Sequence, residues 1–530
     1  MPTVTKPATS ITAPDYRLHA DELRLLAQRW TQSAVFARLW PEGLAIMAPQ
    51  GQRTYLQLHD NANRLAHALR AQGLLPGDAM ALLCRNRAEF VEVMLAALRS
   101  GLRLTPINTH LTPEEVRYIV ADCGARVLVV EEALNTPGLA APGVQRLLID
   151  GGGPGDYADT LAAQPSSEVP TPQAGTLMLY TSGTTGRPKG VFNRTPAVME
   201  PQFGGSFADY RPGDVAMCCG PAYHAAPLLF DIRWPLASGV PIVMLEKWDS
   251  RQVLSLIDQH RVTHAHMVPT MFQRLLALDA SERTRHDLSS LRFLLHGAAP
   301  CTVATKHAMI DWLGPVLTEY YAATEGGEGI HVDSHQWLLK PGTVGRLNPD
   351  LGHRVVDGEG RDVLTGSVGR IYFRAPQSGR FEYFGDPEKT AAAYADDRFT
   401  MGDMGYVDAD GFLFLTGRAA ECIISGGVNI YPQEVDEVLM RHPAVQAVCT
   451  VGAPDEEWGE KVVSVVVPAE AADPGPELAA ALLSHAAANL ARFKCPREVI
   501  FDTALPYTAT GKLLRNQVRQ RFWQGREKSI

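Results

Sequence analysis

The stretch Leu177–Val191, LMLYTSGTTGRPKGV, decides how the rest of this 530-residue chain is interpreted. Its short apolar start, residues 177–180, predicts a strand. The next six residues are all hydroxylated or glycine: Thr181, Ser182, Gly183, Thr184, Thr185 and Gly186. Glycines let backbone N–H groups approach an anion closely, and hydroxyls donate hydrogen bonds in any direction. With Arg187 and Lys189 beside it, the loop is suited to binding a polyphosphate.

Two other interpretations of this loop compete with the first. Clusters of Gly, Ser and Thr are usually flexible surface loops. A Walker-type P-loop needs Gly-Lys-Ser/Thr in sequence, but here Arg187 and Pro188 separate Gly186 from Lys189, which excludes a P-loop kinase. Over its whole length the stretch resembles the phosphate loop of the adenylate-forming (ANL) superfamily, and in particular that of bacterial acyl-CoA synthetases.

Composition indicates an ordinary soluble globular protein of two to four domains, at ~150 residues per domain. Hydrophobic residues make up 45%, and the net charge of -9 argues against a nucleic-acid surface. The eight cysteines show no CxxC pair and no zinc spacing, which is typical of a reducing compartment. The first residues do not show the basic start and apolar core that are typical of a signal peptide, and no run approaches the ~18 apolar residues of a membrane span. We therefore expect a cytoplasmic protein without a transmembrane segment.

Alternating strand and helix patterns predict an α/β fold. Apolar residues at helical spacing follow Thr54, a buried strand follows over 79–84, and a second helix over 89–98. The helix after Thr112 has Thr as N-cap and Pro113 at its first position. Such alternation indicates a mostly parallel sheet flanked by helices, whereas alternating residues and glycines over 344–373 indicate antiparallel structure.

The predicted domain boundary lies at Arg418, because a new α/β pattern of about 110 residues begins after it. We expect an N-terminal AMP-binding and acyl-binding domain over 1–418 and a C-terminal domain over 419–530. The resemblance implies that the first is large, with mixed sheets flanked by helices and a distorted β-barrel. It implies that the second is a small, mobile α+β domain that carries a catalytic lysine.

A second motif, Tyr321–Glu325, follows a predicted strand. Taken alone, it is an ordinary turn with an exposed acid. It resembles the family's Tyr-Gly-x-Thr-Glu motif, which implies that Tyr321 stacks on adenine, Thr324 touches the α-phosphate and Glu325 binds Mg²⁺. One carboxylate is enough, because Mg²⁺ accepts one or two carboxylates together with substrate phosphates. Ala322 replaces the motif's glycine and crowds the backbone slightly.

A third motif, Thr400–Asp403, resembles the family's Thr-Gly-Asp, although Met401 stands where Thr is usual. An isolated Gly-Asp pair is usually only a turn. Here the resemblance implies that Asp403 accepts hydrogen bonds from the ribose hydroxyls, a task that suits a carboxylate facing a vicinal diol. It implies that Arg418 contacts ribose or phosphate.

A glycine pair after the boundary, Gly426-Gly427, resembles the loop that lines the pantetheine channel of acyl-CoA synthetases. The competing interpretation is a turn before a helix that starts with Pro432, and both can hold. Glycines let a slender thiol chain pass closely. Ala420 occupies the hinge position where many members carry Asp or Lys, which leaves the usual pivot contact in doubt.

Lys512 lies in Pro506–Lys512, PYTATGK, which resembles the family's lysine loop. A lone lysine near a terminus is usually a solvated surface charge. The resemblance implies instead that Lys512 reaches the α-phosphate during adenylation, where a cation stabilises the developing negative charge. We expect Lys512 to be the main catalytic residue, supported by Thr324, Glu325 and Lys189.

The acyl pocket is expected around His224, which corresponds to an aromatic position of the family. A buried histidine is more often a packed core residue than a catalyst, so we expect it to position the acid without proton transfer. The expected pocket also includes Ala225, Leu229 and Gly297. The residues after Gly297 are expected to contact the nucleotide: Ala298, Ala299 and Pro300.

The resemblance implies a two-step reaction with Mg·ATP and coenzyme A. A carboxylate attacks the α-phosphorus, giving acyl-adenylate and pyrophosphate, and coenzyme A thiol then displaces AMP. The expected acid is hydrophobic, of fatty, aryl or steroid-side-chain type, because the pocket segments are apolar and partly small-sided. Asp231 suggests an amino-acid substrate, but the position matching the amine-binding Asp of adenylation domains is Ala225.

Two alternatives stay open: transfer of the acyl group to a carrier-protein thiol, and a catalytically silent nucleotide-binding scaffold. The scaffold is disfavoured because the charged residues of the motifs are all present. The expected partners are a small carboxylic acid and coenzyme A, without nucleic acid. The assembly state is left open, with a homodimer as one candidate.

Overall fold

The computed structural model describes residues 14–139, 142–181, 188–196, 198–326, 330–375, 379–425, 428–470, 472–508 and 511–524. The α-helices are α1 (Ala20–Ala27), α2 (Ser33–Leu39), α3 (Tyr55–Ala71), α4 (Ala88–Arg99), α5 (Pro113–Asp122), α6 (Tyr157–Ala162), α7 (Trp234–Ser238), α8 (Ser250–His260), α9 (Pro269–Leu276), α10 (Ala280–Arg283), α11 (Val303–Leu313), α12 (Ser334–Leu339), α13 (Pro387–Ala393), α14 (Pro432–Leu439), α15 (Pro476–Asn489) and α16 (Arg515–Trp523). A π-helix covers Pro227–Arg233.

The strands are β1 (Leu44–Ala48), β2 (Gly51–Thr54), β3 (Ala79–Leu83), β4 (Arg103–Pro106), β5 (Ala125–Glu131), β6 (Gln145–Ile149), β7 (Thr176–Thr181), β8 (Lys189–Asn193), β9 (Ala216–Cys218), β10 (Ile242–Met244), β11 (His264–Met267), β12 (Phe293–His296), β13 (Leu317–Tyr320), β14 (His331–Asp333), β15 (Gly345–Arg346), β16 (Arg354–Val356), β17 (Gly369–Arg374), β18 (Phe381–Tyr383), β19 (Tyr394–Ala395), β20 (Arg398–Phe399), β21 (Asp403–Val407), β22 (Phe412–Arg418), β23 (Ile423–Ser425), β24 (Val428–Ile430), β25 (Val445–Asp455), β26 (Gly459–Pro468) and β27 (Glu498–Phe501).

The fold is mixed α/β, as the sequence predicts, and it divides into two compact units. Unit 1 is Met1–His266, Ala280–Leu294 and Ser378–Pro387. Unit 2 is Met267–Asp279, Leu295–Gln377 and Glu388–Ile530. These units group residues by spatial proximity and do not test the boundary at residues 418 and 419, which stays a prediction.

Unit 1 contains a seven-stranded sheet in the order β18-β8-β7-β4-β3-β5-β6. The pairs from β7 to β6 are all parallel, while β8 and β18 add antiparallel strands at one edge. All residues of helix α4 except Glu89 are buried, including the charged residues Glu92 and Arg99. Capping boxes at Thr54 and Thr112 satisfy the first N–H groups of α3 and α5, which confirms the predicted helix start at Pro113.

Unit 2 contains an antiparallel sheet in the order β15-β22-β21-β17-β20-β19, with β16 paired to β17. This confirms the predicted change to antiparallel structure. A second sheet, β24-β23-β26-β25 with β27 beside β26, packs α14 and α15 over a core that includes Val435, Val466 and Leu482. In the part of the chain that the structure describes, no helix has the length and apolar character to cross a membrane.

Candidate active site

Three residues of unit 2, Tyr321, Asp403 and Arg418, form one hydrogen-bonded group. The Tyr321 hydroxyl donates to Asp403 Oδ2 at 2.7 Å, and Arg418 Nε donates to Asp403 Oδ1 at 3.1 Å. Asp403 and Arg418 face each other across the β21 and β22 ladder. Each carboxylate oxygen keeps a second lone pair, so Asp403 has capacity to accept hydrogen bonds from a vicinal diol.

The surroundings of Tyr321 keep its hydroxyl protonated. Its side chain is buried, its ring lies 5.6 Å from the ring of Phe373, and its backbone N–H donates to the Ile330 carbonyl at 3.0 Å. Burial raises the pKa of Tyr321 well above its ordinary value, and the Asp403 carboxylate raises it further. Tyr321 therefore acts as a fixed donor that orients Asp403.

Lys512 lies close to this group although it is distant in sequence. Desolvation lowers the pKa of the Lys512 ammonium, and the Arg418 guanidinium lowers it further. Three carboxylates oppose this effect: those of Glu421, Asp403 and Glu325. The side chain is exposed to solvent, so it is a reachable cation in a charged part of unit 2.

Thr324 and Glu325 occupy the tip of a tight turn. Ala323 and Gly326 close this turn, since the Ala323 N–H donates to Gly326 O at 2.8 Å and the Gly326 N–H donates to Ala323 O at 3.1 Å. Gly326 has a φ of +135°, and a Cβ there would lie 3.1 Å from Phe399 Cζ. The turn therefore fixes the backbone on which Thr324 and Glu325 project.

Glu325 is the metal-binding candidate that the sequence predicts. Over the described ranges, no group of three or more His, Cys, Asp or Glu side chains is arranged to hold a metal ion. A protein-only cage is therefore not present in that part of the chain. A single carboxylate fits Mg²⁺ that is held mainly by water and substrate phosphates.

The loop from Gly297 to Pro300 follows β12 in a strained conformation. A Cβ at Gly297 would lie 2.6 Å from Tyr320 Cε1 and 2.7 Å from Tyr320 O, so only glycine fits there. Ala298 has a φ of +64°, in the left-handed region that costs an alanine about 1 kcal/mol or more. Ala299 and Pro300 complete the loop before Thr302, whose hydroxyl accepts from the Thr305 N–H and caps α11.

In unit 1, the predicted phosphate loop joins β7 to β8. Thr181 pairs with Lys189 across the antiparallel ladder of these two strands. Lys189 Nζ donates to the Asp386 carboxylate. The five loop residues from Ser182 to Gly186 lie outside the described residues, as do Gly426 and Gly427 of the predicted pantetheine loop.

The acyl-pocket candidates of unit 1 lie at the start of the π-helix. His224 precedes Ala225, and Leu229 lies on the π-helix Pro227–Arg233, a rare geometry that often marks functional sites. Burial, and to a smaller extent the charge of His110, lowers the pKa of His224 to about 4. His224 is therefore neutral at pH 7. Gly297, the fourth candidate, belongs to unit 2.

Sequence reasoning missed several buried or paired groups. Asp386 pairs with Lys189 across 197 residues of sequence, which no local pattern indicates. Lys306 Nζ donates to Glu319 Oε2 at 2.7 Å inside unit 2, with His296 Nε2 at 3.8 Å from the same oxygen. Of these two residues, Glu319 alone lies near a recognised motif, because it stands two residues before Tyr321.

Comparisons with known proteins also identify AMP-binding enzymes. The sequence profile of AMP-binding enzymes matches residues 34–380, and that of the AMP-binding enzyme C-terminal domain matches residues 434–512. Fatty acid--[acyl-carrier-protein] ligase ScoC of Streptomyces coeruleorubidus is 33% identical over 96% of this chain and 98% of that protein. Feruloyl-CoA synthase of an Amycolatopsis species is 35% identical over 92% of this chain and 97% of that protein.

The anthranilate CoA ligase AuaEII, solved with anthranoyl-AMP, matches with a TM-score of 0.80 and 27% identity over 92% of this chain and 96% of that one. The same family is indicated by both profiles, by relatives that match over almost their full length and by the fold of this solved structure. The chain belongs to the AMP-binding enzymes of the adenylate-forming superfamily.

Proposed function

We propose that this chain is an AMP-forming acid–thiol ligase that activates a hydrophobic carboxylic acid and transfers the acyl group to coenzyme A. The observation that carries the proposal is the grouping of Lys512 with Asp403, Arg418 and Glu325 in unit 2. A cation beside a diol-binding carboxylate and a metal-binding carboxylate is the set that adenylation needs.

In the first step, the substrate carboxylate attacks the α-phosphorus of ATP, and pyrophosphate leaves. Lys512 contributes positive charge where negative charge develops on the α-phosphoryl oxygens. Tyr321 holds Asp403 in place for the ribose, and Thr324 contacts the α-phosphate. Glu325 would hold Mg²⁺, which would supply positive charge to neutralise the phosphates.

The loop Thr181–Gly186 and Lys189, which belong to unit 1, are the residues that we expect to bind the phosphates that leave. Lys189 is already hydrogen-bonded to Asp386, which fixes its side chain but leaves its other N–H donors for an anion. In the second step, coenzyme A thiol attacks the acyl carbonyl and AMP departs. The pantetheine arm passes the Gly426-Gly427 loop after Lys512 has withdrawn.

The preference for a hydrophobic acid follows from the expected pocket. Ala225 and Leu229 are apolar, and a His224 held neutral by burial offers no cation to a second carboxylate. A polar or doubly charged acid would lose its hydration there without compensation. An aliphatic or aromatic acid would gain from the same burial.

A second candidate is transfer to the thiol of an acyl carrier protein. The observation that favours it is the relative named fatty acid--[acyl-carrier-protein] ligase, which matches nearly end to end. The silent scaffold is disfavoured, because Lys512, Asp403 and Arg418 are grouped as a working site requires.

The test is AMP and pyrophosphate release with Mg·ATP and a panel of acids, each assayed with coenzyme A, with a holo carrier protein that bears a free phosphopantetheine thiol, or with neither. The proposal expects AMP release that depends on coenzyme A and is largest with an apolar acid. Dependence on the carrier protein would establish the second candidate. Release with neither thiol, or none with any acid, would contradict both thiol acceptors.

A further inference from the structure

The lysine turn, defined as Tyr507, Thr508 and Gly511–Leu513, sets the position of Lys512 through its backbone. Tyr507 and Leu513 form an antiparallel bridge at its base. The Thr508 N–H donates to Lys512 O at 2.8 Å, and the Lys512 N–H donates to Thr508 Oγ1 at 3.0 Å. Lys512 is therefore held by its own turn, and it moves as the turn moves.

Gly511, next to Lys512, packs against helix α9. It has a φ of +75°, and a Cβ built on it would collide with Thr270 Oγ1 and lie 3.1 Å from Thr270 Cβ. Thr270 is the second residue of α9 and belongs to unit 2, like the lysine turn. The contact therefore joins residues 241 positions apart, at a distance that leaves no room for a side chain.

Arg274, one helical turn after Thr270, supports the same contact. Residues four apart lie on one face of a helix, so Thr270 and Arg274 present a common surface. The Arg274 charge lowers the pKa of the Tyr507 hydroxyl, against a larger increase from burial. Tyr507 and Gly511 therefore both lie near this face of α9.

We propose that Thr270 is a positioning residue on which the lysine turn is seated, so that it sets how far Lys512 reaches toward the nucleotide. The inference rests on the proposed function, because it assigns Thr270 to the adenylation step alone. Once the lysine turn leaves, Thr270 no longer contacts Gly511. Thioester formation should not depend on it.

A matched control separates this role from the ordinary need for glycine at positive φ. Gly411 lies in unit 2 with a φ of +83°, but a Cβ there meets nothing within 4 Å. Gly411→Ala therefore imposes the backbone strain of Gly511→Ala without the collision. The part of the excess effect of Gly511→Ala that Thr270→Ala relieves is assigned to Thr270.

The experiment compares Gly511→Ala, Gly411→Ala, Thr270→Ala and the double variant Gly511→Ala/Thr270→Ala. Each is assayed for pyrophosphate release with the best acid of the panel, and for thioester formation from the supplied acyl-adenylate. Thermal unfolding confirms that each variant is folded. We expect Gly511→Ala to form adenylate about tenfold or more slowly than Gly411→Ala, because a misplacement of about 1 Å is costly to catalysis.

The double variant should recover most of this loss, because alanine at position 270 removes Oγ1 and Cγ2, and thioester formation should be nearly unchanged throughout. The inference is wrong if Gly511→Ala matches Gly411→Ala, if Thr270→Ala gives no recovery, or if both half-reactions fall together. Failure of the unmodified enzyme to adenylate any acid would instead overturn the proposed function beneath it.

Discussion

The surroundings of Lys512 partly disfavour the charged form of its side chain. Desolvation and Arg418 lower its pKa, while the carboxylates of Glu421, Asp403 and Glu325 hold the proton on. The protein alone therefore stabilises the charged form of Lys512 only in part. This charged form gains most from the anionic phosphates of a bound nucleotide, as expected for a group that stabilises a transition state.

Lys512→Ala should reduce acyl-adenylate formation by about 10²-fold or more, the usual effect of removing one transition-state donor. Thioester formation from supplied acyl-adenylate should stay nearly unchanged, because Lys512 has no part in that step. Single-turnover assays of the two half-reactions measure the difference. An equal loss in both would show that the role assigned to Lys512 is wrong.

The lowered pKa of Lys512 predicts the alkaline limit of adenylation. Lysine must be protonated to act as a cation, and a lowered pKa means that this proton is lost at a lower pH than from an ordinary lysine. The rate of pyrophosphate release should therefore fall on the alkaline side below pH 10.5, the ordinary lysine value. Lys512→Arg, if active, should move this alkaline decline in rate to higher pH. A decline at an unchanged pH would show that another group causes it.

Tyr321→Phe should weaken nucleotide binding while keeping the aromatic ring. The change removes the hydroxyl that donates to Asp403 Oδ2 at 2.7 Å, so that among the described side chains Arg418 alone still donates to Asp403. A hydrogen bond to a charged group contributes about 1.5–3 kcal/mol to the protein that contains it. Because part of this is lost as poorer orientation of Asp403 for the ribose, the KM for ATP should rise by up to about tenfold. The KM for the acid should change little, and equal changes in both constants would count against this role.

Among the structural elements, α11 and β13 are joined by an ion pair that has almost no solvent contact. Lys306 is fully buried, Glu319 is 7% exposed, and the Lys306 ammonium lies 4.7 Å from the centroid of the Trp337 ring. The strand β13 leads directly into Tyr321, and the loop before α11 contains Ala298 and Ala299. The pair therefore links the two segments expected to contact the nucleotide.

Lys306→Met should lower the free energy of unfolding by about 3–5 kcal/mol, because it leaves the Glu319 carboxylate buried without its cation. The double variant Lys306→Met/Glu319→Gln should be more stable than this single variant, since no uncompensated charge remains. Urea unfolding of both variants measures the difference. A double variant no more stable than Lys306→Met would mean that the pair is not energetically coupled.

The elements themselves were largely predictable from local sequence. Apolar spacing and the Thr112 cap located α3, α4 and α5, and the strand before the phosphate loop appears as β7. The contacts between distant segments were not predictable. Lys306 looks like a solvated helix lysine until α11 packs on β13, and Gly511 looks like an ordinary turn glycine until Thr270 is seen beside it. Such requirements arise from tertiary packing, which a local pattern does not contain.

For the molecule as a whole, family membership identifies the type of reaction but does not identify the acid. The relatives named for fatty and for ferulic acids match this chain to a similar degree, at 33% and 35% identity. Specificity must therefore lie in the few side chains of the pocket. His224→Lys tests this directly, because a cation there should improve the use of dicarboxylic acids relative to apolar monocarboxylic acids. An unchanged ratio of kcat/KM would place His224 outside the pocket.

The central claim, that the substrate carboxylate attacks the α-phosphorus of ATP, is tested most directly by ¹⁸O labelling. The acid that supports turnover is labelled with ¹⁸O in both carboxylate oxygens, and the products are separated after one round of reaction. Attack on the α-phosphorus predicts that one labelled oxygen appears in AMP and none in pyrophosphate, because the acyl–oxygen bond breaks when the thiol attacks. Label in pyrophosphate or orthophosphate would place the attack on another phosphorus and contradict the adenylate mechanism.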